Sequence, residues 1–167
     1  MHLIDRAFIR RPRHYIIQSL LAAAALLIIL YFVEFLTHAA IVAALGSSAF
    51  IVFAMPHSVT AQPRRLIGGH IIGLISGIFC NFVILNLLLG RFAIEWEWIT
   101  WLVYALAVGL SIFLMTITNT EHPPASGTAL GVAAHGYSWQ TVVFILACAV
   151  ALAVIRRLFR RQLRDLF

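Results

Sequence analysis

The chain has 167 residues, of which 62% are hydrophobic and only 11% are charged, and its formal net charge is +6. A soluble domain of this length cannot hide so large an apolar fraction from water, so the composition excludes an ordinary soluble protein. The basic residues flank apolar blocks and are not interleaved with aromatic residues, which argues against nucleic acid as a partner and for a lipid bilayer.

Apolar blocks recur along the chain at about the length of a helix that crosses a hydrocarbon core of roughly 30 Å. They predict an all-α membrane protein, a bundle of about six membrane segments of which two are short or broken. One transmembrane domain over residues 1–167, with no soluble domain, is therefore expected. The predicted segments lie near residues 16–36, 39–55, 67–89, 98–118, 124–135 and 138–155.

Arginines mark one side of this predicted bundle. They precede the first segment, separate the second from the third at Arg64 and Arg65, and follow the last segment from Arg156 to Arg164. The positive-inside rule places both termini in the cytoplasm. The chain contains no lysine, which is compatible with a bacterial inner (plasma) membrane. An acidic and aromatic patch suited to the outer interface comprises Glu95, Trp96, Glu97, Trp98 and Trp101.

The arginines after the last segment require that the chain return across the membrane between residues 123 and 136. So short a stretch crosses only as a partly unwound or broken element, which membranes tolerate where it is buried in protein or lines a wet cavity. Pro124 suits the first turn of a new short helix. The amides of Ala125, Ser126 and Gly127 are then expected to be free and to attract an anion, aided by the helix dipole.

Three segments in each half would place the halves in opposite orientations, as in transporters with inverted repeats. A weak internal similarity points the same way. The stretch 38–46 begins with His-Ala-Ala and ends with Ala-Leu-Gly, and the stretch 122–131 begins with His-Pro-Pro and ends with Ala-Leu-Gly. Chance similarity between two stretches rich in alanine and glycine is the alternative.

Two sequence blocks resemble the HPP family of small integral membrane proteins. One is His122-Pro123-Pro124 with its surroundings, and the other is Ala-Gln-Pro-Arg at 61–64 followed by Ile-Gly-Gly-His at 67–70. The resemblance implies a multi-pass membrane protein, and plastid and cyanobacterial members are associated with nitrite transport. Some bacterial members carry a C-terminal CBS pair, which is not expected here. The function predicted is a transporter or channel for a small inorganic anion, nitrite first.

The candidate substrate-binding residues combine backbone amides, hydroxyl donors and ionisable imidazoles near the predicted helix break. Gly127 is expected to let a ligand approach the backbone, and two serines offer hydroxyls in the other half. The alternatives are packing of small residues, hydroxyls bonded back to helix carbonyls, and histidines near the cytoplasmic boundary that cap a helix or bond to the backbone. The candidates are His122, Pro123, Pro124, Ala125, Ser126, Gly127, Thr128, Asn119, Ser47, Ser48 and His70.

Two other classes of function remain open. A b-type haem protein is conceivable because His57 and His70, and likewise His122 and His135, are 13 residues apart, although prolines and a glycine interrupt both pairs. A structural or accessory membrane subunit is the other alternative. No enzyme motif, metal site or cofactor is predicted, and the sequence leaves assembly into a homo-oligomer open.

Overall fold

The structure, a computed structural model, describes residues 13, 16–18, 20–21, 39–88 and 97–166. Most of the predicted first segment, near 16–36, lies outside the described residues. So do Glu95 and Trp96 of the predicted interfacial patch, and His38 at the start of the first repeat copy.

The described part of the chain consists of helices joined by turns and short irregular segments and contains no strand, which confirms the all-α fold. Four of the five described α-helices begin within one residue of the predicted start, and the remaining one begins at Pro63, four residues earlier than predicted. The elements are α1 (Ala39–Ala54), a 3-10 turn (Val59–Ala61), α2 (Pro63–Ile78), a π-helical continuation of α2 (Phe79–Leu88), α3 (Glu97–Ile117), α4 (Pro124–His135) and α5 (Trp139–Phe159).

Local sequence explains where these helices begin and end. Pro63 and Pro124 each occupy the first turn, where a missing amide hydrogen costs no helical hydrogen bond. The Ser138 hydroxyl caps α5 by accepting from the Thr141 amide at 3.1 Å. Gly136 ends α4 with φ of 77°, a conformation that glycine adopts without strain.

Within the described ranges, three helices are long and apolar enough to cross a membrane: Pro63–Ile84, Trp98–Ile117 and Trp139–Phe159. Their outward faces carry large apolar side chains, such as Trp101 and Val143, which are 65% and 63% exposed. In water such faces would be unfavourable, and in lipid they are solvated. The protein is therefore a multi-pass membrane protein. The 16-residue α1 and 12-residue α4 are shorter.

Helix α4 lies inside the bundle, where it packs on α1, α2 and α3. Glycines on α2 allow this approach, because a Cβ at Gly77 would lie 2.7 Å from the Ala129 carbonyl oxygen. Gly68 faces the turn before α4, where a Cβ would lie 2.8 Å from a Thr120 methyl carbon. Gly131 allows a similar approach toward α1, where a Cβ would meet Ile41 at 2.6 Å.

The chain after α5 folds back over the end of α1. The Leu166 amide donates to the Ala54 carbonyl at 3.0 Å, and the Arg156 guanidinium donates to the Pro56 carbonyl at 2.8 Å. Leu163 is buried in the same apolar cluster as Val52. These contacts hold the ends of α1 and α5 at one end of the bundle.

Candidate functional site

Two histidines from distant parts of the sequence meet inside the bundle. His70 lies on α2 and His122 lies in the turn before α4, and their ring centroids are 5.3 Å apart. The Ser48 hydroxyl of α1 lies between them, 3.0 Å from Nε2 of His70 and 2.9 Å from Nε2 of His122. Three segments of the chain thus contribute one polar group each to a common centre.

The outer nitrogens of the two rings also have partners. Nδ1 of His70 lies 2.9 Å from the Thr128 hydroxyl of α4. Nδ1 of His122 lies 3.0 Å from the carbonyl oxygen of Thr60 in the 3-10 turn. The result is one continuous hydrogen-bonded chain through the protein interior, from Thr128 to Thr60. We call these five residues the histidine chain.

The centre of the histidine chain is closed to solvent. Ser48, His70, His122 and Thr128 have no exposed surface. Buried polar groups cost free energy unless each is hydrogen-bonded, and here every side-chain nitrogen and oxygen of these four residues has a partner. The arrangement is a buried ionisable centre in a membrane bundle, which by default marks a functional site.

Packing of small residues positions the two imidazoles. A Cβ at Gly69 would lie 2.6 Å from the Cβ of His122, so only glycine on α2 leaves room for that side chain. Ala125, on the first turn of α4, is fully buried on the same side of α2. The prolines at 123 and 124 start α4 directly after His122, which places the imidazole at the N-terminal end of this helix.

A charged cluster lies beside this centre, at the start of α2. Arg65 forms an ion pair with Glu121 and donates to the Asn119 side chain. Arg64 donates to the Thr118 carbonyl at 3.2 Å. Asn119 has a positive φ of 56°, a left-handed conformation that asparagine adopts more readily than most residues and that lets the chain turn tightly here. The two arginines therefore hold the 118–122 turn against α2.

Of the predicted site residues, the structure brings His122, His70, Ser48 and Thr128 together. Ser47 does not join them, because its side chain is exposed and donates to the Ala43 carbonyl at 2.8 Å. Asn119 lies in the charged cluster, and Pro123 is exposed. Neighbouring residues on a helix point about 100° apart, which is why only one of the two serines faces inward.

The expectation of free amides at the start of α4 is wrong for two of the three residues. The Ala125 amide donates to the His122 carbonyl at 2.9 Å, and the Ser126 amide donates to the Pro123 carbonyl at 3.1 Å. Both amides are bonded within the turn itself, so neither is free to bind an anion at the N-terminal end of α4.

The expected role of Gly127 also changes. A Cβ at Gly127 would lie 3.1 Å from the Cβ of Ala44, so this glycine faces α1 and allows two helices to pack closely. It does not open onto a space for a ligand. A large side chain at this position would separate α1 from α4 and would not simply block a pathway.

Thr60 is the member of the histidine chain that the sequence did not indicate. It contributes its carbonyl oxygen, which every residue carries, so no residue type signals it. The carbonyl is directed at His122 because Ser58 caps the short 3-10 turn by accepting from the Ala61 amide at 3.3 Å.

The histidine spacings considered for haem do not form ligand pairs. His57 is exposed in the turn after α1, where its amide donates to Asp165 at 3.0 Å, whereas His70 is buried on α2. His135 ends α4, 13 residues from His122 and at the opposite end of that helix. The Nε2 atoms of His70 and His122 both contact Ser48.

Asn81 and Tyr104 hold the far end of α4. The Asn81 side-chain amide donates to the Ala133 carbonyl at 2.8 Å, so this residue bonds across helices. Tyr104 of α3 donates to the Ala134 carbonyl at 3.3 Å. Both bonds satisfy carbonyls at the end of a helix that would otherwise lack partners.

Comparison with known proteins gives one family and two partial relatives. The model of the family described as "HPP, transmembrane region" matches residues 9–165. A transmembrane protein of Dictyostelium discoideum is 39% identical over 90 residues, 54% of this chain and 28% of the relative. A second from that organism is 35% identical over 85 residues, 51% of this chain and 24% of the relative. The alignments thus cover about a quarter of each relative's length. No solved structure matches.

Proposed function

The chain belongs to the HPP transmembrane family, and we propose that it transports a small inorganic anion across the membrane, with nitrite as the first candidate. The observation that carries this proposal is the bridge from Ser48 to both buried histidines. An ionisable pair inside a membrane bundle is costly to keep, and in transporters such groups mark the path of the substrate.

The chemistry of the histidine chain favours an anion over a cation. It presents imidazole and hydroxyl groups, which donate hydrogen bonds to anionic oxygen, and no carboxylate contacts either ring among the described residues. A bent oxyanion such as nitrite is small enough to be held by two or three donors. Such a site attracts an anion weakly, which suits turnover because a transported ion must also leave.

The burial of the centre favours a carrier over an open channel. Ser48, His70 and His122 have no exposed surface, so an ion reaches them only when helices move. Arg65 and its partner Glu121 hold the 118–122 turn directly before His122, and opening of this turn is the motion that we expect to admit the anion. Alternating access of this kind is common among carriers with short or broken helices.

The test is anion flux into liposomes that contain only the purified protein, with nitrite, nitrate, formate and chloride compared. Nitrite flux above the protein-free background is expected. Absence of flux for all four anions, from protein that is folded by circular dichroism, would contradict transport and favour an accessory subunit.

Two adjacent serines provide a matched pair of variants for this assay. Ser48→Ala removes the hydroxyl that bridges the histidines, and a lost buried hydrogen bond of about 1–3 kcal/mol predicts a nitrite flux reduced by about tenfold or more. Ser47→Ala removes an exposed hydroxyl that bonds within its own helix, so its flux should match the wild-type protein. Equal effects of the two variants would place the pathway elsewhere.

A further inference from the structure

The partners of His122 determine which of its nitrogens carries hydrogen. Nδ1 lies 3.0 Å from the Thr60 carbonyl oxygen, and a carbonyl only accepts. Nδ1 therefore holds a hydrogen, and in a neutral ring Nε2 is then bare. The Ser48 hydroxyl, 2.9 Å from this Nε2, is the donor that the bare nitrogen needs.

Ser48 has a single hydroxyl hydrogen, so its contact with His70 runs in the opposite sense. Nε2 of His70 donates to the Ser48 oxygen at 3.0 Å. That leaves Nδ1 of His70 to accept from Thr128 at 2.9 Å. In the neutral state all hydrogen bonds of the histidine chain are thus donated in the same direction, from Thr128 toward Thr60. Every polar atom in it is satisfied without a charge.

A second acceptor beside Ser48 gives the histidine chain a second state. The Ala44 carbonyl oxygen is 2.9 Å from the Ser48 hydroxyl. When the hydroxyl donates there, the Ser48 oxygen accepts from both imidazoles, and Nε2 of His122 must carry a hydrogen of its own. The two states differ by one proton on His122 and one hydroxyl rotation, with no displacement of heavy atoms.

The protonated state puts a positive charge in the interior of the bundle without a countercharge. The groups that contact the rings come from α1, the 3-10 turn and α4, and in the described part of the chain they include hydroxyls and a carbonyl but no carboxylate. Glu121 precedes His122 but pairs with Arg65. A second proton on His70 is opposed by a like charge with ring centroids 5.3 Å apart, so the pair holds one.

An unpaired cation is unfavourable in apolar surroundings, and an anion bound beside it removes most of that cost. Binding of the proton therefore favours binding of the anion, and linkage makes the effect reciprocal. We propose that the His70–His122 pair, bridged by Ser48, takes up one proton with each monovalent anion, so that the two cross the membrane together. This inference rests on the proposed anion transport and adds the proton as a second substrate.

The proposed cycle is balanced in atoms and charge. A proton from the side of higher activity forms an N–H bond at Nε2 of His122, and the anion binds next to it. On the other side the anion leaves, the N–H bond breaks, and the Ser48 hydroxyl turns back from Ala44 to His122. One negative and one positive charge have moved together, so the transport step is electroneutral.

The experiment uses liposomes that contain the full chain and an enclosed pH indicator, with valinomycin and potassium gradients to set the membrane potential. An inward nitrite gradient should acidify the interior above the protein-free rate, and the initial rate should not change with membrane potential. Nitrite flux that follows the potential and moves no protons would overturn proton coupling and leave anion transport intact. Absence of any anion flux would overturn both.

Two histidine variants separate the proton site from general damage. His122→Gln retains a donor and an acceptor but takes up no proton, so proton movement should fall to the protein-free rate. His135→Gln changes an exposed histidine at the other end of α4 and should behave as wild type. If His122→Gln does not fold, nitrogen-15 NMR of the wild-type histidine side chains decides. Nitrite should convert one ring to imidazolium, and an unchanged spectrum under nitrite would refute the proposal.

Discussion

Thr128 completes the hydrogen bonding of His70 on the side of the ring opposite Ser48. Because Nε2 of His70 donates to Ser48, Nδ1 needs a donor, and the Thr128 hydroxyl at 2.9 Å supplies it. The Thr60 carbonyl, which can only accept, is the group that sets this direction, and the Thr128 hydroxyl adapts to it.

Replacement of Thr128 by valine tests this role, since the two side chains have nearly the same shape. The variant leaves Nδ1 of His70 without a donor in a buried place, and we expect the free energy of unfolding to fall by about 1–3 kcal/mol. Thermal unfolding in detergent, followed by circular dichroism, measures it. Thr116→Val is the control, because that hydroxyl is exposed and bonds to its own helix at Ile112. Equal stabilities for the two variants would mean that the Thr128 bond contributes nothing.

The residue types of the histidine chain were predictable from the sequence, and their contacts were not. Histidines and hydroxyls in apolar segments are exceptions that attract attention, so His70, His122, Ser48 and Thr128 all stood among the candidates. Which of Ser47 and Ser48 faces inward depends on the rotation of α1 about its axis. The sequence does not reveal this rotation, because apolar neighbours surround both serines. The Thr60 carbonyl depends on the fold alone.

At the scale of the helix, the glycines of α2 determine how closely α4 approaches. Gly69, Gly73 and Gly77 are four residues apart, so they share one helix face, and each has backbone or Cβ atoms of the region 122–132 against it. In a membrane such small-residue faces replace the hydrophobic effect as the basis of helix association. The same face brings His70 within reach of Ser48 and Thr128.

Gly73→Ala should separate α2 from α4. The added Cβ would collide with the carbonyl oxygen of Ala125, and backbone cannot rotate away, so a loss of about 1–3 kcal/mol in unfolding free energy is expected. Gly109→Ala is the matched control, because nothing lies within 4 Å of a Cβ there and alanine favours a helix by about 1 kcal/mol over glycine. Unfolding midpoints in detergent should move in opposite directions. A stable Gly73→Ala protein would show that the helices tolerate a wider spacing.

The start of α4 was predictable because prolines act locally, whereas the π-helical continuation of α2 was not. Pro123 and Pro124 forbid a continuing helix whatever surrounds them, and α4 begins at Pro124. Phe79–Leu88 has the composition of any apolar helix, so only its surroundings distinguish the wider form. The proposed inverted repeat stays a prediction: α1 and α4 do meet, at Ala44 and Gly127.

At the scale of the whole molecule, contacts between helix ends place several termini at one end of the bundle. Arg64, at the start of α2, donates to the Thr118 carbonyl just after α3. Arg156, near the end of α5, donates to the Pro56 carbonyl just after α1. The short turn from Pro56 to Arg64 connects these two contacts. This end also carries the arginines that follow α5.

The first residue of α3, Glu97, must then lie at the opposite end, because a 21-residue helix is about 30 Å long. The positive-inside rule predicts that the arginine-rich end is cytoplasmic. Glu97→Cys should therefore react with a membrane-impermeant maleimide on intact cells, and Gln162→Cys should react only after permeabilisation.

The labelling background should carry Cys80→Ala and Cys148→Ala, which remove one buried and one partly buried thiol. Labelling of both engineered cysteines from one side would contradict the contacts of Arg64 and Arg156. The reverse pattern, with Gln162→Cys labelled on intact cells, would keep those contacts and show that arginine placement does not orient this bundle. The 118–122 turn, whose opening is proposed to admit the anion, would then face the outside and not the cytoplasm.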